Sequence, residues 1–557
     1  MRDRLNGNQT DGPSAGSGFR LLLIRIGAIV LFVALLAQVW RLQIVQGEYY
    51  AALANELRFR EVELPAQRGV IYDRRGEILV RNVPSFLVSV VPADLPDDPA
   101  RKRAIIERVV DLLKIKDESW LALPFPPAHL SGAETEHWEA QALAESLRRR
   151  AEQQAPVDYI LDRVVELEHV GPYRPLVIKT GVERELAFML EEAHNDLPGI
   201  HLEVQSLRQY TTAELTSHLL GYVGPIPSAS VEKYEARGYN PNDRVGLTGL
   251  ELVYEEVLRG AKGQKHVEVD VAGREVRTIG EITPPTPGHN LVLTIDLGLQ
   301  RMVEETLRRG LQRARRDSGV AIAMDPNTGE ILAMVSLPTY DNNLFADGIS
   351  WRDYERLSTD VRRPLLNHAI SGVYPPGSVF KIVPASAALQ EGVVDEKTRL
   401  TCEGIMLLPN QYFPDDPGLA QKFYCWIHKY DTGHGPIALI DAIAQSCDIY
   451  FYQVGGGFED FAGLGLERLA NYAGLFGFGE LTGIDLPGET TGLIPSARWK
   501  RLNYAESWVT GDTYNMAIGQ GFVLTSPLQV LNAFSAVANG GYLYQPTGTS
   551  SRNWSPD

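Results

Sequence analysis

The sequence predicts an α+β protein carried on a single N-terminal membrane helix, and three observations predict it. An apolar run, Leu21–Trp40, is broken only by Arg25 and Gln38, about the length a bilayer-spanning helix needs. Beyond it, runs with strand character are mixed with charged amphipathic helical stretches over a chain of 557 residues, too long for one core. The stretch PPTPGHN, Pro284–Asn290, then punctuates the chain with proline and glycine and divides it in two.

In order along the chain, residues 1–18 are rich in Asn, Gly, Ser, Thr and Asp and read as a cytoplasmic tail. The span is placed at 19–42. Arg2, Arg4, Arg20 and Arg25 precede its apolar centre and only Arg41 closely follows, so the positive-inside rule puts the N-terminus in the cytoplasm. No A-x-A-like site closes the run, which therefore reads as an uncleaved anchor in the inner membrane, with the bulk of the chain outside. Residues 45–285 are read as a first unit. In it, Phe86–Pro92 (FLVSVVP) and His266–Gly273 (HVEVDVAG) read as strands, whereas RKRAIIERVVDLLKI and ETEHWEAQALAESLRRRAEQQ have the period of amphipathic helices. Residues 290–557 form the second unit. It opens with LVLTID and the helix LGLQRMVEETLRRGLQRARR, followed by GVAIAMDPNTGEILAMVS, two strands about an Asn-Thr-Gly turn.

Composition narrows the function. A net charge of -17 argues against nucleic acid as a main partner, because phosphate binding wants a basic face. Three cysteines are too few for a disulfide scaffold.

The pattern S-x-x-K occurs twice, at Ser378/Lys381 and Ser230/Lys233, and about one or two matches are expected by chance at average composition. Context separates them. SASVEKYEARGY is charged and periodic, so Ser230 caps or decorates a surface helix. YPPGSVFKIVPASAAL is apolar, so Ser378 and Lys381 are both expected to be buried. On a helix, i and i+3 share a face; a desolvated lysine beside a serine hydroxyl is a working general base. The competing reading, a capping serine on a core helix, stays open on these residues alone. Ser446-Cys447-Asp448 adds a hydroxyl and a carboxylate two residues apart. The elbow pattern Gly12-Pro-Ser14-Ala-Gly16 lies in the polar tail with no strand before it and is accidental.

Ser378/Lys381 with Ser446 and Asp448 is where the chain resembles a known family. Further blocks carry the likeness: Pro65–Arg74 (PAQRGVIYDR), HLLGYVG, GLTGLELVYEEVLRG, HVEVDVAGR, MDPNTGEILAMVSLPTYDNNLF, GIDLPGETTGLIPS and AIGQGFVLTSPLQVLNAFSAVANGG. Together they are similar to class B penicillin-binding proteins of the cell-elongation type, from the anchor nearly to the last residue. The resemblance implies an elongated dimerisation-type pedestal followed by a penicillin-binding transpeptidase domain of serine β-lactamase-like fold. It implies D,D-transpeptidation of peptidoglycan stem peptides, with Ser378 acylated, Lys381 its base, Ser446 a proton relay, and Asp448 where many relatives carry Asn. It also implies covalent inhibition by β-lactams and a SEDS-family (RodA-like) glycan polymerase as partner.

That family carries a Lys-Thr-Gly or Lys-Ser-Gly motif after the Ala-Asn-Gly-Gly stretch. Here only Thr547-Gly548-Thr549 follows it before Asp557, so the last strand and C-terminal helix are expected to be missing by truncation. The expected alternative is a non-catalytic scaffold or activator of the polymerase. A β-lactam sensor or β-lactamase is disfavoured by the large pedestal.

Cys402, Cys425 and Cys447 lie close to His434 in Thr-Gly-His-Gly. Three thiols and an imidazole suit tetrahedral zinc, while an oxidising compartment suits a Cys402–Cys425 disulfide with Cys447 free. Some elongation-type relatives carry a zinc site in this region, and the resemblance implies Cys402, Cys425, His434 and Cys447 as its ligands.

Overall fold

The computed structural model describes residues 15–46, 59–115 and 155–550, apart from 171, 174, 228–229, 241–242, 270–274, 347 and 411. The expected helix ETEHWEAQALAESLRRRAEQQ, most of the tail expected to be cytoplasmic, and Ser14 lie outside the described residues. The chain divides into two compact units, residues 1–65 with 262–285, and residues 66–261 with 286–557.

In the first unit the apolar run forms one continuous 26-residue α-helix, Ala15–Trp40. Several of its side chains lie outside the described residues, and among the described residues no helix is long and apolar enough to cross a membrane. The same unit holds an antiparallel three-stranded sheet. Phe59–Leu64 pairs with Gly263–Val269, which pairs in turn with Glu275–Thr283. The strand FREVEL alternates charged and apolar residues from Glu61 onward, the period-2 signal of a half-buried strand, and the sequence reading does not include it.

The second unit contains two kinds of layer. One is a five-stranded sheet centred on Ile78–Val90, which pairs antiparallel with both Leu176–Val182 and Ile200–Tyr210. The strand begins eight residues before the predicted Phe86 because every residue from Val80 to Val90 finds a partner on Ile200–Tyr210. Helix Pro99–Leu112 starts where Asp98 accepts from Ala100 N at 3.2 Å and Pro99 occupies the first turn. With Pro156–Val170 it closes a core of Val88, Val90, Ile106, Val109, Ile160 and Val164.

The other is the predicted hairpin, Gly319–Met324 against Ile331–Leu337, flanked by helix Leu297–Ala314, whose N-cap Asp296 accepts from Leu299 N at 3.0 Å. Beside it lies a mainly helical core. Its central helix, Asp448–Gly456, is buried at eight of its nine positions and largely apolar on all sides, as a helix enclosed by others must be. Helix Thr510–Ala517 crosses it so closely that a Cβ on Gly455 would sit 2.4 Å from the Ala517 Cβ. Phe380, Tyr450, Phe451 and Tyr514 are fully buried there, each worth about 1.5–3 kcal/mol in transfer out of water.

Candidate active site

Pro375 and Pro376 lead into Gly377, which has φ +62, a conformation glycine adopts without strain. Its N–H donates to Gly519 O at 2.8 Å. A 3-10 turn over Gly377–Lys381 then runs into the α-helix Ile382–Gln390. This turn sets alternate fates for neighbouring side chains: Phe380 and Lys381 face the core at 0% and 2% exposure, and Ser378 is exposed. The expectation that both polar groups are buried is therefore corrected. Only the lysine is: its ammonium reaches inward to Ser446 and Asp448, while Ser378 stays exposed at the first turn.

Lys381 Nζ makes three hydrogen bonds, to Ser446 O at 2.9 Å, Ser446 Oγ at 3.1 Å and Asp448 Oδ1 at 2.6 Å. An ammonium has three donors, so each is used, and none reaches Ser378. The sequence expectation of a direct lysine–serine pair gives way to a lysine bound to the second motif, with Ser446 as the hydroxyl it holds. The Phe451 ring centroid lies 5.5 Å away and adds a cation–π contact.

Helix Leu439–Ala444 ends just before Ser446, which has φ +51. A non-glycine residue there costs about 1–2 kcal/mol, and the strain turns both Ser446 O and Oγ toward Lys381. Cys447 caps the next helix, its Sγ accepting from Tyr450 N at 3.5 Å. Asp448 is 9% exposed and its second oxygen accepts from Trp426 N at 2.9 Å. The Trp426 indole donates to Gln445 O at 2.9 Å, so one residue ties the carboxylate and the loop before Ser446. Trp426 carries no legible signal, because its contact with Asp448 is made by a backbone N–H, which no side-chain pattern announces.

The Gly-Gln-Gly block supports the serine turn from the other side. Gly519 has φ +69, and a Cβ there would lie 2.3 Å from Gly377 O and 2.6 Å from the Phe380 Cβ. Tyr374 and Thr525 exchange backbone hydrogen bonds at 2.9 Å in both directions.

Other motifs go elsewhere. Thr547–Thr549 surrounds Asp485, which accepts from Gly548 N at 2.6 Å and from Thr549 Oγ1 at 2.6 Å. A Lys-Thr-Gly triplet does occur in the chain, at Lys179–Gly181, a match the sequence reading leaves out. It lies on strand Leu176–Val182, where Lys179 Nζ donates to Leu113 O at 3.0 Å, a structural contact. Ser230 stands at the N-cap position of the short helix Val231–Glu235, without a side-chain cap bond.

The cysteines converge. Cys402, Cys425 and Cys447 are buried free thiols, which corrects the disulfide alternative. Their sulfurs and a His434 ring nitrogen all lie within 4.8 Å of one another; His434 Nδ1 is 3.5 Å from Cys402 Sγ and 3.6 Å from Cys425 Sγ. Strand Leu400–Cys402 pairs with Gly435–Ile437, and Gly433 permits it, since a Cβ there would be 2.1 Å from Cys402 O. Hydrogen bonds from Cys402 and then Cys447 pull the Cys425 thiol far down from its ordinary range, favouring the thiolate that a metal requires. Cys425 Sγ also accepts from Asp448 N at 3.4 Å, which links this cluster to the Lys381 partner.

Comparison with known proteins gives the same outline. The family described as Penicillin-binding Protein dimerisation domain matches residues 63–293, and the Penicillin binding protein transpeptidase domain matches 319–553. The chain is 33% identical to the peptidoglycan D,D-transpeptidase MrdA of Haemophilus influenzae, over 95% of this chain and 71% of that protein. A structure of Helicobacter pylori PBP2 in complex with MreC superposes with a TM-score of 0.67 at 26% identity, covering 89% of this chain and 79% of the other. A peptidoglycan synthase complex that coordinates polymerization and crosslinking includes a chain that aligns at 29% identity, TM-score 0.60, over 97% and 82%.

Proposed function

From the premise that this chain belongs to the MrdA (penicillin-binding protein 2) family of peptidoglycan D,D-transpeptidases, we propose that Ser378 is its acylated nucleophile. The observation that carries the assignment is the exposed serine on a turn whose buried lysine, Lys381, is bound to Ser446 and Asp448. Ser378 Oγ attacks the carbonyl of the penultimate D-Ala of a stem peptide. The C–N bond breaks, D-Ala leaves with the serine proton, and a neighbouring strand's amine takes the acyl group and frees Ser378. Lys381 and Ser446 relay that proton, and Asp448 holds the lysine in place. N–H groups of the first turn after Gly377 lack intrahelical partners and face the developing oxyanion. A β-lactam is opened by the same attack and remains on Ser378.

Labelled penicillin tests this directly. A covalent adduct mapping to Ser378 by peptide mass, and lost in Ser378→Ala, is the expected result. An adduct that persists in Ser378→Ala overturns the assignment.

The four-residue cluster fits a zinc ion. Three thiols and one imidazole converge from four segments, and the hydrogen bonds of His434 Nδ1 go only to sulfur among the described residues. Cys402, Cys425, His434 and Cys447 would hold the metal, which supplies a structural cross-link beneath Ser446 and Asp448. Metal analysis of purified protein is expected to give one zinc per chain, with three thiols titrating only after chelation; three freely reactive thiols without metal would exclude the site.

The apolar helix Ala15–Trp40 exposes large side chains around its circumference, including Val30, Leu31, Leu35 and Leu36, and this supports its role as the membrane anchor. On this reading the protein works at the inner membrane in cell elongation, beside a SEDS-family polymerase.

A further inference from the structure

Ser446 is held in the left-handed region, at φ +51, which a serine keeps only where its surroundings impose it. Rotation of the peptide unit between Gln445 and Ser446 would relieve that strain, because it changes the φ of Ser446 directly. Both ends of this unit are fastened. Ser446 N donates to Ile443 O at 3.0 Å, inside the turn that closes helix Leu439–Ala444. Gln445 O accepts from the Trp426 indole N–H at 2.9 Å, a bond that reaches over from a separate segment. Carbonyls at a helix C-terminus lack intrahelical donors, and the indole supplies one here.

The same residue holds the far side of Ser446. Trp426 N donates to Asp448 Oδ2 at 2.9 Å, while Asp448 Oδ1 accepts from Lys381 Nζ at 2.6 Å. One tryptophan thus pins residues 445 and 448, and Ser446 lies between them with its O and Oγ both turned to Lys381. A flip of the peptide unit would turn the Ser446 backbone and draw these acceptors away. Lys381 would then keep Asp448 and lose the hydroxyl of its relay. Trp426 itself is 45% exposed, with its ring edge-on to His434 at 5.8 Å between centroids. Little of it belongs to the core, so the site draws on its two N–H groups more than on its bulk.

We infer that Trp426 is a positioning residue for acylation: its indole N–H blocks the peptide flip before Ser446 and keeps the Lys381–Ser446 pair assembled while Ser378 attacks. The inference rests on the transpeptidase reading above for Ser378 as the nucleophile. Because Trp426 acts through Ser446 and Asp448, loss of its indole donor slows the chemical step and leaves recognition of penicillin intact.

The test follows acylation of the full-length protein over a range of penicillin concentrations. Trp426→Phe keeps a ring and the backbone N–H but removes the indole donor. Its first-order acylation rate at saturation is expected to fall at least about tenfold, as a small misplacement of catalytic groups does. The half-saturating concentration should stay within about twofold, the pattern of an interaction used only in the transition state. The fraction of chains that finally carry the adduct should match that of the unaltered protein. Benzothienylalanine at position 426, an isostere of tryptophan with sulfur in place of the N–H, should reproduce the slow rate. An unchanged rate with either replacement overturns the inference. So does a smaller final adduct formed at the original rate, the mark of a residue that only stabilises the fold. Zinc and thiol content are measured on the same samples, and a slow rate accompanied by a change in either assigns the effect to the neighbouring Cys425 and overturns the inference as well. If the unaltered protein forms no adduct on Ser378, the transpeptidase reading falls and this one with it; equal rates with and without the indole donor sink the Trp426 assignment alone.

Discussion

Three acceptors surround the Lys381 ammonium, supplied by residues 65 and 67 positions away. A buried ion pair of this kind adds little net stability over an apolar pair, but removing one partner leaves the other charge stranded, at about 3–5 kcal/mol. Lys381→Met is therefore expected to lower folding stability by that order and to slow penicillin acylation at least ~100-fold, the order that general-base loss carries. The double variant Lys381→Met/Asp448→Asn should recover most of the stability in denaturant melts and none of the acylation. Recovery of both, or of neither, would show that the pair is not arranged as described. Residue types and their order are readable along the chain. Which hydroxyl the lysine holds is not, because that hydroxyl and the carboxylate beside it come from a segment more than sixty residues along the chain.

Among elements, the seam between the serine turn and the Gly-Gln-Gly loop bears the most on function. Gly519→Ala places a Cβ 2.3 Å from Gly377 O at a residue with φ +69, so both sterics and backbone oppose it. We expect acylation by penicillin to fall at least about tenfold as the turn shifts, the rate cost that even a small misplacement of a reacting group carries. Ser526→Ala is the control. It removes the cap of helix Pro527–Ala538, where Ser526 Oγ accepts from Gln529 N at 3.2 Å, and should cost about 1 kcal/mol in stability with acylation unchanged. The periodic elements are legible in the amino-acid order alone: the hairpin about Asn327, helix Leu297–Ala314 and the apolar N-terminal helix all follow from apolar length or patterns of two or 3.6 residues. Strand Phe59–Leu64 is nearly as regular, yet its partner lies far along the chain, at Gly263–Val269, and only pairing identifies it as sheet.

Across the molecule, a buried charge network fastens segments that are far apart in the chain. Glu251 accepts from Arg68 Nε and from Arg208 Nε, each at 2.7 Å, and Glu255 pairs with Arg68 at 2.7 Å. Burial opposes the Glu251 charge, but Arg208 and Arg68 outweigh it and hold the carboxyl below its ordinary 4.5. A depressed carboxyl pKa contributes stability that is complete above the unfolded value and is lost as pH falls through the folded one. Stability should thus decline as pH drops below about 4.5, and Glu251→Gln, less stable at pH 7, should show a shallower decline in thermal melts over that range. Arg68 falls within the Pro65–Arg74 block, so part of what resembles a family signature is here the fastening of a core.

Periodicity, apolar length and residue type are local properties, and they suffice for the class of structure, the apolar helix at the start of the chain, and the serine and lysine on which the chemistry turns. Tertiary packing was needed to expose Ser378 while burying Lys381, to bring three thiols and His434 together beneath Asp448, and to set Trp426 against Gln445 and Asp448. Each of those depends on contacts between distant segments, fixed by the packing of whole elements and written in no single stretch of the chain.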